Sequence, residues 1–501
     1  MIKVVQVSSD SNIGGAGKCI LTFLKTFNRE VFDVCVVLPK KSLLRPEAEA
    51  FGIKVYEAEH LAEKSLDFKA VSGLVNLFKQ IKPDIVHTHA SMSARIAAKL
   101  CGIKTVYTRH SVFPPPDKLC HGIGKAVNGF INNHTADRII AVAEAAKENI
   151  VVTGVDPKKI DVILNGVEAL EPYDGKKLTE LRAEYNIAEG EKVAVMAARL
   201  NVVKGHKYFV KAAEILKSRG VKFKFLIAGT GDVEDEIKQQ IKTSGLEDEV
   251  VMLGFVNDVE PLMNVMDVQV NCSFGTEATS LALLEGMSLG KAAVVTDFGG
   301  NPGVIKSGVN GFLTPTHDAE TLAKDLEMLF CDEALYSRMS AECRKIYKEK
   351  FTADVYARAI EGVYTAGMYF VGGRRGGSAS SSEKNVNVTY TVELTGKEDN
   401  MINLIKEGDA VMVGEKDKAN MKVTAVEVSP AKTDGYDIET GRVLRSPVPD
   451  EYDIKVTMTA IGTESDSAVK VDGVALRVGQ NAVLSSRGWA GSGYAIGLSA
   501  E

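Results

Sequence analysis

In the segment EATSLALLEGM, Glu277 and Glu285 stand with seven residues between them, the first in a loop and the second inside an apolar run that reads as a helix begun near Ser280. The start of a helix leaves backbone N–H groups without intrahelical acceptors and carries a partial positive charge. The N–H groups of Thr279, Ser280 and Leu281 could therefore bind a phosphate, with the two carboxylates taking sugar and ribose hydroxyls on either side of it. Two acids at this spacing also arise as a solvated cap and a surface helix charge, so the spacing draws its meaning from what accompanies it.

What accompanies it is AARLNVVKGHKYFV, where Arg199 closes a strand-like run, Lys204 follows in the loop and a helical pattern resumes after Gly205. Two fixed cations beside a helix start can stabilise a departing diphosphate. No strand ends in the DxD pattern that would hold a metal ion for the same purpose, so neither a metal nor another cofactor is expected.

Further sites of the same kind lie near the amino terminus. SSDSNIGGAGKCILTFL places Gly14, Gly15 and Gly17 between a strand and a helix, where the backbone must either approach a ligand closely or take positive φ, although the pattern is neither GxGxxG nor a phosphate-binding P-loop. His110 follows KTVYTR, at the expected carboxyl end of a strand, which is where open α/β sheets place their ligands. His87 and His89 in DIVHTH are read as pointing to opposite faces, leaving His89 as the one that reaches the cleft and excluding a metal pair. His60, His121, His134, His206 and His317 read as structural.

The elements that must position these residues alternate regularly. IKVVQV, DVCVVL, DIVHTH and KTVYT are separated by amphipathic helical stretches, and a second series runs KVAVMA, KFKFLIAG, EVVMLG, DVQVNC and AAVVTD. Such alternation predicts two doubly wound parallel sheets. The turn-rich ILNGVEALEPYDG reads as a hinge, placing an amino-terminal Rossmann-like acceptor domain at 1–168 and a donor domain at 169–349, with a helix at 350–370 returning to the first domain. The Gly/Ser-rich stretch 371–384 reads as a linker, and 385–501, which lacks Phe, His and Cys and shows β-branched alternation, as a small all-β module.

Composition narrows the function classes. The seven cysteines are scattered without CxxC spacing, against a disulfide framework or a zinc site, and a net charge of −6 gives no support to a nucleic-acid partner. No apolar run is long enough for a membrane-spanning helix and no signal peptide is evident, so a cytoplasmic location is expected. FPPPDKLCHGIGKAVNGFINN (113–133) reads as a loop followed by a core helix; the other reading is an acceptor lip or interfacial helix, which would put the chain at the inner face of a membrane as a peripheral protein.

Taken in order, GGAG, TRH, ADRIIAVAE, NGVE, RLNVVKG, LGFV, EATSLALLEGMSLGKAAVVTD and NGFLTP resemble the retaining GT-B glycosyltransferases of the family 4 and group 1 type over residues 1–370. The resemblance implies two Rossmann-like domains with a cleft between them. It also implies that Arg199 and Lys204 bind the diphosphate of a UDP- or GDP-sugar, Glu285 its ribose, Glu277 its sugar, and the backbone at Phe255 and Val256 its base. Gly15 would lie near both the phosphates and the acceptor, Gly14 and His89 would serve the acceptor, a glycan or lipid-linked molecule, and His110 would lie at the reaction centre. Front-face attack with retention, needing no enzyme nucleophile, is the implied mechanism. Ala143, Gly303 and Glu168 depart from the residues usual at those positions, Ser, Glu and Asp. The tail resembles an uncharacterised DUF4330-like domain. Two other functions fit the same residues: a nucleotide-sugar epimerase or hydrolase, and an inactive glycan-binding or scaffold protein.

Overall fold

A computed structural model describes residues 1–61, 66–369, 384–414, 418–436, 443–465, 468–476 and 481–500. The chain forms two compact units, Met1–Val371 and Gly372–Glu501. The expected linker, 371–384, lies outside the described residues except for Lys384.

The first unit holds two parallel sheets. Strands β1 (Ile2–Ser8), β2 (Phe32–Pro39), β3 (Lys54–Ala58), β4 (Ile85–His89), β5 (Lys104–Arg109), β6 (Arg138–Ala141) and β7 (Ile160–Val162) lie in the order β3-β2-β1-β4-β5-β6-β7. Strands β8 (Lys192–Ala197), β9 (Phe223–Ala228), β10 (Val250–Gly254), β11 (Val268–Asn271), β12 (Ala292–Thr296) and β13 (Gly311–Thr314) lie in the order β10-β9-β8-β11-β12-β13. Helices cover both faces of each sheet, which is why strands such as KVAVMA and AAVVTD read as continuous apolar runs rather than alternating ones. In each sheet the strand order reverses once, between β1 and β4 and between β8 and β11, and at such a reversal the following loops splay apart to leave a crevice at the carboxyl edge. Both expected Rossmann-like sheets are thus present.

Two crossings join the sheets side by side. Val167 accepts from Ala353 N (3.0 Å) and donates to Phe351 O (3.0 Å), so the outgoing and returning chains pair at the hinge. Gly166 is required there, because a Cβ would lie 2.5 Å from Thr352 O. The helix Ala353–Tyr369 then packs Tyr356, Ile360 and Tyr364 against Ile20, Phe23 and Leu24 of the helix Gly15–Thr26.

The helix Gly122–Thr135 departs from the sequence reading. It was expected in the core, yet Gly129 is its one buried residue, while Ile123 and Phe130 are 83% and 63% exposed. Its apolar positions do not gather on the face that meets the sheet, since Gly129 makes the close contact, against the Gly154 backbone.

The second unit is the expected all-β module, with one helical turn at Asp399–Ile402. Its strands are β14 (Lys384–Glu398), β15 (Ala410–Val413), β16 (Ala419–Tyr436), β17 (Val443–Ser465), β18 (Ala468–Val471), β19 (Val474–Leu476), β20 (Asn481–Ser485) and β21 (Ala490–Ala500). They form an antiparallel sheet ordered β14-β21-β20-β15-β16-β17-β18-β19, and β14 also pairs with β17. That pairing closes the sheet on itself around Val388, Tyr390, Ile454, Val456 and Trp489.

Tyr364 lies fully inside the first unit and its hydroxyl sits between Gln6 and His87, so Tyr364→Phe is expected to cost about 1–3 kcal/mol by leaving buried polar atoms unpaired. Urea unfolding followed by circular dichroism measures it; an unchanged midpoint would refute the coupling.

Candidate active site

The two reversals face a common cleft of about 790 Å³. Its first wall comes from the loop after β1 (Asp10, Gly14, Gly15) and the ends of β4 and β5 (His89, His110); the second comes from the loops after β8 (Arg199, Lys204) and β11 (Glu277, Thr279, Ser280, Leu281). A neighbouring cavity of about 410 Å³ shares Arg199 and Phe255 with the cleft and adds Gly229, Val256 and Glu285. All the residues singled out for binding and chemistry therefore line one of two adjoining spaces.

Glu277 is held in place from three directions. Its Oε2 accepts from Lys204 Nζ (2.9 Å), Asn271 Nδ2 (2.8 Å) and Ser273 Oγ (2.7 Å), while Oε1 has no hydrogen bond among the described residues. The backbone is fixed as well: Gly300 N donates to Glu277 O (3.0 Å), and a Cβ on Gly299, at φ +61°, would lie 2.3 Å from that same oxygen. Lys204 also donates to Thr276 O (3.1 Å). Lys204 thus meets Glu277 directly, while Arg199 is exposed and makes no ion pair among the described residues. Of the two expected cations, one is engaged and one is available.

Beyond Glu277 the helix Leu281–Ser288 begins, as its sequence implied, with Ser280 as N-cap, its Oγ accepting from Leu283 N (3.4 Å). The N–H groups of Thr279, Ser280 and Leu281 have no acceptor among the described residues. One turn into the helix, Glu285 lies 3.9 Å from Lys18 Nζ, and burial raises its pKa, with Lys18 opposing. Carboxylates, unbonded N–H groups and a free guanidinium therefore follow one another along the cleft. Thr279 Oγ1 donates to Val142 O and Asn165 Nδ2 to Thr279 O (3.3 Å), tying this loop to the first sheet.

The opposite wall is a chain of buried polar groups. Gln6 Nε2 donates to Tyr364 Oη (3.1 Å), which contacts His87 Nδ1 (2.7 Å), and His87 Nε2 contacts Thr108 Oγ1 (2.6 Å). Gln6 Oε1 takes His89 Nε2 (2.9 Å), and His89 Nδ1 meets His110 Nε2 (2.8 Å). With the Gln6 amide placed this way its oxygen can only accept, so His89 carries its proton on Nε2 and offers a lone pair at Nδ1. His110 must then donate through Nε2, which leaves its Nδ1 a lone pair; that atom is buried and has no partner.

Desolvation lowers the pKa of all three histidines, to about 4 for His110, to about 3 for His87 and well below the usual value for His89. His110 at neutral pH is therefore a neutral hydrogen-bond acceptor and not a cation.

The expectation that His87 and His89 face opposite ways is corrected. Residues two apart in a strand share a face, and their rings lie 4.4 Å apart on the same side. His89 reaches the cleft because it is nearer the strand's end, and His87 supports it from beneath. Ala90, next in sequence, takes φ +67°, strained for a residue with a Cβ, where the chain turns at the cleft. Neither Gly14 (φ −96°) nor Gly15 has positive φ, and a Cβ on Gly15 would meet nothing within 4 Å, so open space remains as the reason for these glycines. None of His60, His121, His134, His206 and His317 lines the cleft.

Sequence reasoning missed Asn271 and Ser273, which grip Glu277, and Gln6, Asn165 and Asp10. Gln6 carried a usable signal, as a polar residue between two valines near the carboxyl end of β1, and Asn271 another, as the polar last residue of β11.

Two parallel α/β sheets facing each other across a cleft are the GT-B fold. Residues 13–169 match the family model Glycosyltransferase Family 4, 178–346 match Glycosyl transferases group 1, and 354–499 match DUF4330, a domain of unknown function. The chain is 28% identical over 369 residues to the UDP-Gal:alpha-D-GlcNAc-diphosphoundecaprenol alpha-1,3-galactosyltransferase of Escherichia coli, covering 68% of this chain and 91% of that one. It is 27% identical over 306 residues to the N-acetyl-alpha-D-glucosaminyl L-malate synthase of Bacillus anthracis, covering 60% and 78%. Among solved structures, Alr3699/HepE of Anabaena in complex with UDP superposes with a TM-score of 0.63 at 21% identity, over 73% of this chain and all of that one.

The chain belongs to the family 4, group 1 glycosyltransferases, retaining enzymes that use nucleotide sugars, and carries a carboxyl-terminal DUF4330 domain.

The neutral histidines give stability a defined pH dependence. Their folded pKa values lie below the unfolded value of 6.5, so below pH 6.5 the unfolded chain takes up protons that the folded site refuses. Stability is expected to rise with pH between about 4 and 6.5 and then level off, by up to about 1.4 kcal/mol per pH unit per histidine. Urea unfolding at a series of pH values, with His110→Asn removing one histidine's share of the slope, checks this.

Proposed function

We propose that this enzyme moves a hexose from a UDP-sugar to a lipid-linked glycan acceptor with retention of anomeric configuration, the second Rossmann-like domain (169–349) holding the donor and the first (1–168) the acceptor. The observation that carries the reading is the run of groups along one cleft: the open oxygen of Glu277, the unbonded N–H groups of Thr279, Ser280 and Leu281, the unpaired Arg199, and Glu285 at the entrance of the adjoining cavity.

A UDP-sugar fits this run from end to end. Uracil would occupy the cavity at Phe255, Val256 and Gly229, with ribose hydroxyls donating to Glu285. The diphosphate would take the helix N–H groups, Arg199 and Lys204, and the sugar hydroxyls would donate to Glu277 Oε1 and His110 Nδ1. Uridine is favoured over other nucleosides by the UDP-Gal specificity named for the Escherichia coli relative and by the UDP bound to the Anabaena protein.

As the bond from the anomeric carbon to the phosphate oxygen breaks, charge grows on the diphosphate, and the fixed cations and peptide dipoles neutralise it without reorganising. The acceptor hydroxyl attacks from the face that the diphosphate leaves, and its proton passes to the departing phosphate oxygen. No side chain need act as nucleophile, and Arg199 and Lys204 supply the countercharge that a metal ion would otherwise give.

A lipid-linked acceptor is supported by the substrate named for the Escherichia coli relative and by the helix Gly122–Thr135 beside the first domain's half of the cleft. Its outward Ile123, Val127 and Phe130 suit the interfacial zone of a membrane, giving the enzyme a peripheral site of work. Among the described residues no helix is long and apolar enough to cross a membrane.

Lys204→Ala and Arg199→Ala are each expected to lower transfer from UDP-sugars by about 100-fold or more while the circular dichroism spectrum stays native. Release of UDP from a panel of UDP-hexoses, in the presence of a polyprenyl-diphosphate-linked sugar, is the assay; wild-type turnover by either variant would remove the mechanism.

A further inference from the structure

Behind the acceptor half of the cleft lies a smaller cavity of about 250 Å³, walled by Arg95, Tyr107, Arg109, Asn128, Asn132 and the proline run Pro114–Pro116. Tyr107, Arg109 and Phe113 line both spaces, so the small cavity opens beside the cleft. No Asp or Glu lines it.

Arg95 comes from the helix Met92–Leu100 and is 4% exposed. Its Nη1 donates to Asn132 Oδ1 (2.8 Å), and its guanidinium lies 4.3 Å from the centroid of the Tyr107 ring. Nε is buried without a partner, and no carboxylate pairs with the group among the described residues. Arginine cannot shed its proton inside a protein, so its charge stays unbalanced, whereas Arg138, in β6, is paired with Asp161. Burial pulls the Arg95 pKa down, with Tyr107 opposing, as expected for a cation lacking its counterion. Arg109 is half-buried and donates only to the carbonyls of Ser111 and Phe113, each at 3.2 Å.

Two guanidinium groups in one cavity with no acid make a receptor for an anion with several oxygens, while the amides of Asn128 and Asn132 already donate within the protein, to Thr153 O and to Asn128, and serve to hold Arg95 in place. We propose that this cavity seats a phosphate or diphosphate group of the acceptor, Arg95 and Arg109 supplying its countercharge. The word acceptor rests on the function proposed above; the anion site does not. The helix Gly122–Thr135 supports the assignment, because it turns Asn128 and Asn132 to the cavity and Ile123 and Phe130 to solvent, where the hydrocarbon of a lipid-linked diphosphate would run.

The test is a calorimetric titration of inorganic pyrophosphate into the full-length chain carrying Arg199→Ala and Lys204→Ala, so that the donor cations do not report. Saturable binding is expected, weakened about tenfold or more by adding Arg95→Met and restored in part by Arg95→Lys, which returns the charge without the fork. Binding that is absent, or equal with and without Arg95, overturns the proposal. If Arg95→Met does not fold, Arg109→Met, at a half-buried position, is measured in its place with the same expected weakening. Competition by a short-chain polyprenyl diphosphate in detergent micelles, set against glycerol phosphate, tells a lipid-linked phosphate from a soluble one. Pyrophosphate binding that needs Arg95, together with a wild-type chain that turns over no nucleotide sugar, would sink the function proposed above and leave the anion site standing.

Discussion

The contact between Lys204 and Glu277 is the constraint on which the second sheet's side of the cleft depends. It joins the loops that follow two neighbouring strands, β8 and β11, at the reversal of the second sheet. The pair is nearly buried, with side chains 19% and 9% exposed, and charges so placed are stable only when their remaining hydrogen bonds are satisfied. Asn271, Ser273 and the carbonyl of Thr276 provide those bonds. Because one carboxylate oxygen receives all three donors, the other is left open, and the residues that stabilise the fold also aim Glu277 at the cleft.

The facing wall solves a different problem, which is to present polar atoms without charge. Gln6, His87, His89 and Thr108 are almost completely buried at the ends of β1, β4 and β5, and desolvation keeps the histidines neutral. Each hydrogen bond dictates the protonation of the next ring, so the orientation of the Gln6 amide is relayed through His89 to His110 Nδ1. That chain begins at Tyr364, on a helix contributed by the far end of the unit. The return of this helix therefore does more than fill the core: it adds a hydroxyl to the buried polar chain behind the cleft. The DUF4330 match begins at residue 354, inside this same helix, so the segment assigned to that domain starts within the core of the transferase unit.

Electrostatic asymmetry separates the two halves of the site. On the side of the second sheet acids and bases meet as pairs, apart from Arg199, and the surplus is a set of backbone dipoles. On the side of the first sheet Arg95 and Arg109 line a cavity with no acid among the described residues. A fold with one reversal per sheet brings these two environments to adjoining spaces, with the polar residues gathered toward the carboxyl ends of the strands.

Much of this architecture was legible in the residues. Continuous apolar runs alternating with amphipathic ones specify parallel sheets covered on both faces, and the order of motifs from GGAG to NGFLTP implies which strand ends carry chemistry. The helix start at Ser280 and the turn at Gly205 follow from local rules of capping and backbone freedom. What sequence alone left open were contacts between distant segments: the grip of Asn271 and Ser273 on Glu277, the reach of Tyr364 to His87, the solvent-facing helix at 122–135, and the absence of a carboxylate beside Arg95. Propensity and periodicity act over a few residues, whereas pairing of buried polar groups is decided by which loops the strand order brings together. Only the tertiary structure holds that information, because the cost of an unpaired buried charge is set by neighbours hundreds of positions away.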